Sequence, residues 1–454
     1  MNRERSLSWP AKIAFGAGDF GFNLYYTGLS LFLLYYYTDV LDIRPAIAGL
    51  IFALPLFWDA VTDPVMGSIA SRTRTRWGSY RPYLLLGSVP LALSFVAMFA
   101  APLLMPGAVI AAAAVSHVVF RTCYTVVSIP YGALSARITQ DSTDRGDLAG
   151  ARMIFATLGG LFVVLVTLPL AAQFGTDMRT GFALTACLYS VIATAILVLT
   201  FALVREPSKV ELAPADWRAV RRALSRNRAL WVLVTAIVFG ATSGAVFSKA
   251  LIYYVQYVAG INLSITAALI ALTAATSLSV PVWMLISRRV AKRTAWLTGA
   301  GITLTMQAVL FAAPPQTPAT FLALLIALGL GNGAFYVTFW SMLPDTVEYG
   351  EWRSGVRDEG LVFGLNQLAL KAAAGVGIGL LGFLLDAVGY QANVPQSDGT
   401  VAGLRVITTV LPFVLTLLAA ITIAFYPVDR RLHARLVRAL SQRTRTDAGA
   451  GAKA

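Results

Sequence analysis

Residues 58–85 read WDAVTDPVMGSIASRTRTRWGSYRPYLL. An apolar stretch carrying Asp59 and Asp63 breaks into a short loop with Arg72, Arg74, Arg76 and Arg81, and apolar sequence then resumes. A long apolar run ending in a few arginines is what a membrane crossing looks like where it meets water. Reading outward, the same alternation gives twelve apolar segments, at 12–38, 46–71, 80–104, 107–136, 150–173, 180–204, 230–259, 264–288, 293–314, 317–345, 360–388 and 401–427. One crossing needs roughly 20 apolar residues to span about 30 Å of hydrocarbon. The segments are too long for strands, and a helix satisfies its own backbone hydrogen bonds in lipid. The expected fold is an all-α integral membrane protein with twelve transmembrane helices.

Composition agrees. The chain has 454 residues, 57% hydrophobic and 13% charged, with mean hydropathy +0.70; soluble domains carry about 25% charged residues. The net charge of +14 would suit a nucleic-acid binder, but no basic helix or aromatic RNA-binding motif accompanies it, and no nucleic acid is expected as a partner. The charge sits on alternate loops: Arg72 to Arg81, Arg137 and Arg145, Arg205 to Arg228, Arg288 to Arg293, and Arg353 with Arg357. The opposite loops hold little beyond Arg44, Arg179 and Arg405. By the positive-inside rule both termini face the cytoplasm, and the expected location is a bacterial inner (plasma) membrane. Cys123 and Cys187 lie within apolar runs with no metal or redox spacing and read as small packing residues. The N-terminus does not read as a cleavable signal, since its first apolar stretch is long, contains Asp19 and lacks a small-x-small cleavage site.

The longest polar interruption, 206–229, divides the segments six and six. The expected organisation is an N-terminal bundle at 1–205, a cytoplasmic linker at 206–229 with a surface helix at 215–226, a C-terminal bundle at 230–427 and a fraying tail at 428–454. Each half has a basic loop after its second helix, RTRTRWGSYR at 72–81 and RRVAKR at 288–293. That is a weak internal symmetry of the kind two-bundle transporters show.

Charge inside a crossing costs at least about 2.5–3.5 kcal/mol at the helix centre, so each such residue is a functional candidate. Asp59 and Asp63, four apart, share one helix face. Two anions that close hold a proton or bind a cation, with Thr62 and the backbone freed near Pro64 as further oxygen ligands; the alternative is an ion pair with Arg152 or Lys371. Asp19, Asn23 and Tyr26 form a polar stripe on the first helix, suited to a hydroxyl-rich ligand or, for Asp19, to an interhelical clamp. Arg121 and Tyr124 lie three apart, and a buried guanidinium there can grip a substrate carboxylate or Asp19. His117 reads as a packed residue, His433 as solvated, and Lys249 as structural or snorkelling towards a helix end. Asn366, Gln367 and Lys371 offer donors on the eleventh segment. Trp58, Tyr124, Trp283, Tyr336 and Trp340 are candidates to stack on sugar faces, although most membrane aromatics pack or anchor. Arg72, Arg74 and Arg76 either fix topology or gate by pairing with Asp345, Glu348 or Glu351.

Several stretches together carry a resemblance: GDFGFNLYY (18–26) and YYYTDV (35–40), the 58–85 stretch, SIPYGALSA (128–136), and MLPDTVEYGEWRSGVRDEG (342–360) followed by Lys371. Over residues 10–427 the chain resembles the glycoside–pentoside–hexuronide:cation symporters, the melibiose permease family of the major facilitator superfamily. The resemblance implies two pseudo-symmetric six-helix bundles working by alternating access. It implies that Asp59 and Asp63 bind the coupling cation, sodium, lithium or a proton, with Lys371 beside them, and that Asn23, Tyr124, Ser128 and Arg152 face the sugar. Melibiose permease has aspartates at the positions of Asn23 and Ser128 and a tryptophan at that of Gly132, so a simple galactoside is not the expected substrate. The loss of two negative charges beside Arg121, Arg152 and Lys249 tilts the expectation towards a sugar acid, ahead of neutral pentosides or glucosides.

The chain is therefore expected to carry a small sugar with transported Na+ or H+, to use no cofactor, and to work as a monomer in lipid. A lysolipid or amphiphile transporter of the same superfamily is the alternative. An enzyme is not expected, since no phosphate-binding glycine loop, HExxH or Ser/His/Asp set is present. A non-transporting sensor would have lost the acidic pair.

Overall fold

The computed structural model describes residues 7–138, 142–206, 227–355 and 359–429, with 432–433, 435–436 and 438–439. Most of the expected linker, including its surface helix, the Arg357 position, the side chains of Arg137 and Arg145, and the end of the tail lie outside the described residues. Among the described residues there are twelve long α-helices and no strand. They are α1 (Trp9–Tyr35), α2 (Pro45–Arg72), α3 (Arg81–Leu104), α4 (Val109–Ile138), α5 (Ser142–Phe174), α6 (Met178–Leu203), α7 (Arg228–Tyr253), α8 (Ile265–Arg289), α9 (Lys292–Ala312), α10 (Pro318–Ser354), α11 (Glu359–Ala387) and α12 (Asp398–Ala424). Eleven are long and apolar enough to cross a membrane. The exception is α1, diluted by Lys12, Asp19, Asn23 and its glycines, although its 27 residues suffice in length.

Helix starts follow local chemistry. Pro45 and Pro318 stand in the first turns of α2 and α10, where a missing N–H costs nothing. Side chains of Asp177, Asn227, Ser264 and Thr317 cap α6, α7, α8 and α10. Two helices end in matched π-turns, Tyr36–Val40 after α1 and Tyr254–Val258 after α7, a second trace of the internal repeat. Two helices outrun their apolar segments. α5 begins at Ser142, and α10 continues to Ser354, so Asp345, Glu348 and Glu351 lie on helix. Hydropathy marks only the part of a helix that lies in lipid, and these ends are polar.

The chain divides into two compact units: Met1–Glu211 with Ile378–Thr400, and Leu212–Gly377 with Val401–Ala454. In the first, α1 packs on α5 and α6, α3 on α4 and α6, and α2 on α4. In the second, α7, α8 and α9 pack on α10; Leu230, Leu233, Ile237, Phe339, Met342 and Leu343 form much of its core. The loop after α2 turns at Gly78, whose φ of +108° favours glycine. There Tyr80 N–H donates to Glu206 at 2.9 Å, and Arg81 donates to the Phe201 carbonyl at 2.6 Å, near the open C-terminal end of α6.

Candidate functional site

The α2–α4 seam is built around two prolines. Pro55 and Pro64 lie inside α2, and each leaves a carbonyl four residues earlier without its helical donor. For Pro55 that carbonyl is Ile51, and His117 Nδ1 meets it at 3.1 Å. His117, fully buried against Phe52, is thus the packed residue the sequence suggested, with the task of satisfying a proline-freed carbonyl. One helical turn further, Arg121 forms a salt bridge to Asp59. These side chains are 3% and 1% exposed. Next, Trp58 Nε1 donates to Thr122 Oγ1 at 3.0 Å, and Thr125 Oγ1 donates to Asp63 at 2.8 Å. The i, i+4 spacing of the aspartates on α2 is therefore matched by the same spacing of Arg121 and Thr125 on α4, giving adjacent rungs between the helices. The Thr62 hydroxyl donates to the Trp58 carbonyl of its own helix at 3.1 Å.

The second cluster joins α1, α4 and α5. Arg152 grips Asp19 with two donors, Nε at 2.7 Å and an Nη at 3.1 Å, a fork geometry that only arginine offers. Tyr131 also donates to Asp19, at 2.7 Å, and the guanidinium lies 5.3 Å from its ring centroid. Gly18 admits that ring, because a Cβ there would stand 2.7 Å from it. Asn23 turns its amide back on α1, donating to the Asp19 carbonyl at 2.8 Å and accepting from Thr27 at 3.2 Å. Tyr26 is exposed, while Tyr124, against Phe22 and Phe120, and Ser128 are half-buried.

These geometries revise three expectations. Arg121, expected on a substrate anion or Asp19, stands on Asp59; the partner of Asp19 is Arg152. Asp59 has a basic partner, Arg121, that the sequence did not offer for the acidic pair, the alternatives named there being Arg152 and Lys371. Asn23 spends its amide within its own helix. Tyr131 and Thr125 were missed, since a tyrosine and a threonine in an apolar run read as packing until a carboxylate is seen beside them.

The second unit holds the other candidates. Lys371 is half-buried on α11, Gln367 exposed, and Asn366 buried with its amide on the Val362 carbonyl. Trp340 and Tyr336 are exposed on α10, whereas Trp283 is buried and donates to the Leu330 carbonyl at 2.7 Å. Lys249, four residues before the end of α7, is 4% exposed, so it does not snorkel. No hydrogen bond or ion pair to it occurs among the described residues. Asp345 pairs with Lys292 at 2.8 Å, and His433 lies 3.0 Å from Glu348 and 3.4 Å from Asp345. His433 is thus seated on acidic side chains rather than free in solvent. In the first unit Arg72, Arg74 and Arg76 are exposed.

Residues 14–430 match the model of the family described as MFS/sugar transport protein. The isoprimeverose transporter of Lactiplantibacillus pentosus is 29% identical, covering 93% of this chain and 90% of its own. The glucuronide carrier protein homolog of Escherichia coli (strain K12) is also 29% identical, covering 96% of each. Among solved structures, a bacterial homolog of the human lysosomal transporter Spinster superposes with TM-score 0.70 at 14% identity, over 95% of this chain and 98% of that one.

Proposed function

Since the chain belongs to the MFS/sugar transport protein family, a multi-pass group of secondary transporters, we propose that it is a cation-coupled symporter of a glycoside, pentoside or hexuronide, working by alternating access. The observation that carries the coupling is the Asp59/Asp63 face. Two carboxylates one turn apart on one helix face, one of them buried against the Arg121 guanidinium, are a pair that holds a proton or binds a cation. Coupling is reciprocal, so substrate tightens cation binding by the same factor that the cation tightens substrate.

The preference for an anionic sugar rests on different residues than the sequence suggested. Arg121 and Arg152 are matched by Asp59 and Asp19 and leave the charge count. What supports an anion is Lys249, a buried ammonium for which a sugar carboxylate would be a partner. The similarity to a glucuronide carrier homolog points the same way, and that to an isoprimeverose transporter keeps neutral pentosides next in order. The basic loops support cytoplasmic termini in a bacterial inner membrane.

The test is uptake by proteoliposomes of a panel of glucuronides and neutral pentosides under imposed sodium or proton gradients. Accumulation beyond equilibration, lost in Asp63→Asn, is expected. Uptake indifferent to both gradients and unchanged in the variant would make the acidic face structural and the protein a facilitator.

A further inference from the structure

We infer that Arg121 is a resident counter-ion that keeps alkali-metal cations out of the Asp59/Asp63 face, and so selects which ion the protein couples to. The inference rests on reading that face as the coupling site.

A sodium or lithium ion needs several oxygen ligands converging on one point. Two carboxylates on one helix face, with a threonine hydroxyl between them in sequence, would supply the start of such a set. The structure puts a different cation there. The Arg121 guanidinium is on Asp59, and both side chains are withdrawn from solvent. Arginine stays protonated at any working pH, so this positive charge cannot be discharged to make room. An alkali ion on Asp59 would have to share the carboxylate with the guanidinium, two like charges in contact where little water screens them.

Nor does the seam offer the guanidinium an easy exit. Arg121 lies between two further α4–α2 contacts, His117 to Ile51 on one side and Thr125 to Asp63 on the other, with Thr122 held to Trp58 next to it. These fix the register of α4 against α2 and leave the arginine facing Asp59. The donor set that suits sodium by residue type therefore does not suit it as arranged. Arg121 acts here as a tethered substitute for a metal ion: it sets a fixed positive charge on the Asp59 carboxylate.

Two measurements test this. Purified protein is unfolded thermally in choline, sodium and lithium chloride at equal ionic strength, since an ion that binds only the folded state raises its unfolding temperature. Wild type is expected to give one temperature in all three salts, and Arg121→Ala is expected to gain stabilisation by sodium or lithium over choline. In proteoliposomes, wild-type accumulation is expected to follow a proton gradient and ignore a sodium gradient, while Arg121→Ala becomes sodium-stimulated by about tenfold, within the range of ordinary site coupling. Sodium stabilisation or sodium-driven accumulation in wild type overturns the inference and leaves the symport reading standing. A folded Arg121→Ala with no response to sodium or lithium also overturns it. Absence of gradient-driven accumulation with any ion overturns the symport reading itself. Should Arg121→Ala not fold, the wild-type salt series and the charge-retaining Arg121→Lys, expected to stay blind to sodium, decide the matter.

Discussion

Asp59 and Asp19 each meet a guanidinium, but in different surroundings. Asp59 and Arg121 are dry, whereas Asp19 and Arg152 are 16% and 32% exposed. Removing one partner of a buried pair strands a charge and costs about 3–5 kcal/mol; water screens the loss for the wetter pair. Asp59→Asn should therefore lower the unfolding temperature more than Asp19→Asn does, as parallel thermal melts would show. Lys249 is the opposite case, a buried cation with no partner among the described residues, tolerated at a cost to the fold. Replacing it with Met, similar in length and apolar, should raise the unfolding temperature. If Lys249 receives a sugar carboxylate, the same change should raise the KM for glucuronides by about tenfold, the equivalent of about 1.4 kcal/mol, and leave neutral pentosides nearly unaffected. A stability gain with no change for either sugar would make Lys249 structural.

At the level of elements, Asn227 does two jobs where the polar linker meets α7. Its side-chain oxygen accepts the Leu230 N–H at 3.0 Å, and its amide donates to the Thr346 carbonyl of α10 at 2.8 Å, with the residue 2% exposed. Loss of an N-cap costs about 1 kcal/mol, and a stranded buried carbonyl about 1–3 kcal/mol more. Asn227→Ala should lose both, and Asn227→Asp should keep the cap but lose the amide donor, giving an intermediate melting temperature. Equal melting of all three proteins would remove this account of the α7–α10 junction. Pro55 and His117 show the same logic across helices: a proline opens a carbonyl on α2, and a histidine 66 positions away closes it.

Across the whole molecule, the first unit recruits chain from far along the sequence. Tyr390, in the loop between α11 and α12, donates to Asp39 at 2.6 Å, and Asn393 donates to the Asp39 carbonyl at the same distance. Asp39 stands on the π-turn after α1 and is buried. π-turns in helices are frequent at functional positions, and this one anchors a loop some 350 residues later. Tyr390→Phe should loosen that anchor by one hydrogen bond to a charged group, about 1.5–3 kcal/mol. Labelling of a cysteine placed at Gln396 by an impermeant maleimide should accelerate by tenfold or more, since about 1.4 kcal/mol is a factor of ten. An unchanged rate would show that the loop is held by other contacts.

Hydropathy alone established the number and type of the long elements, because a bilayer demands runs of apolar residues that nothing else in a protein needs. It also determined which residues to suspect, because charge in such a run is too costly to be incidental: Asp19, Asp59, Asp63, Arg121, Arg152 and Lys249 were all legible as candidates. Partnership, by contrast, emerged with the packing of the helices. Spacing on one helix shows that Asp59 and Asp63 share a face, but not that Arg121 rather than Arg152 comes to it, since that depends on the register of α4 and α5 against α2 and α1. Register is set by side chains silent in a hydropathy pattern: Gly18 yielding to Tyr131, His117 answering Pro55, Thr125 reaching Asp63. The polar ends of α5 and α10 were hidden for a related reason, since a helix that leaves the lipid keeps its backbone geometry but loses the apolar signature by which it is read.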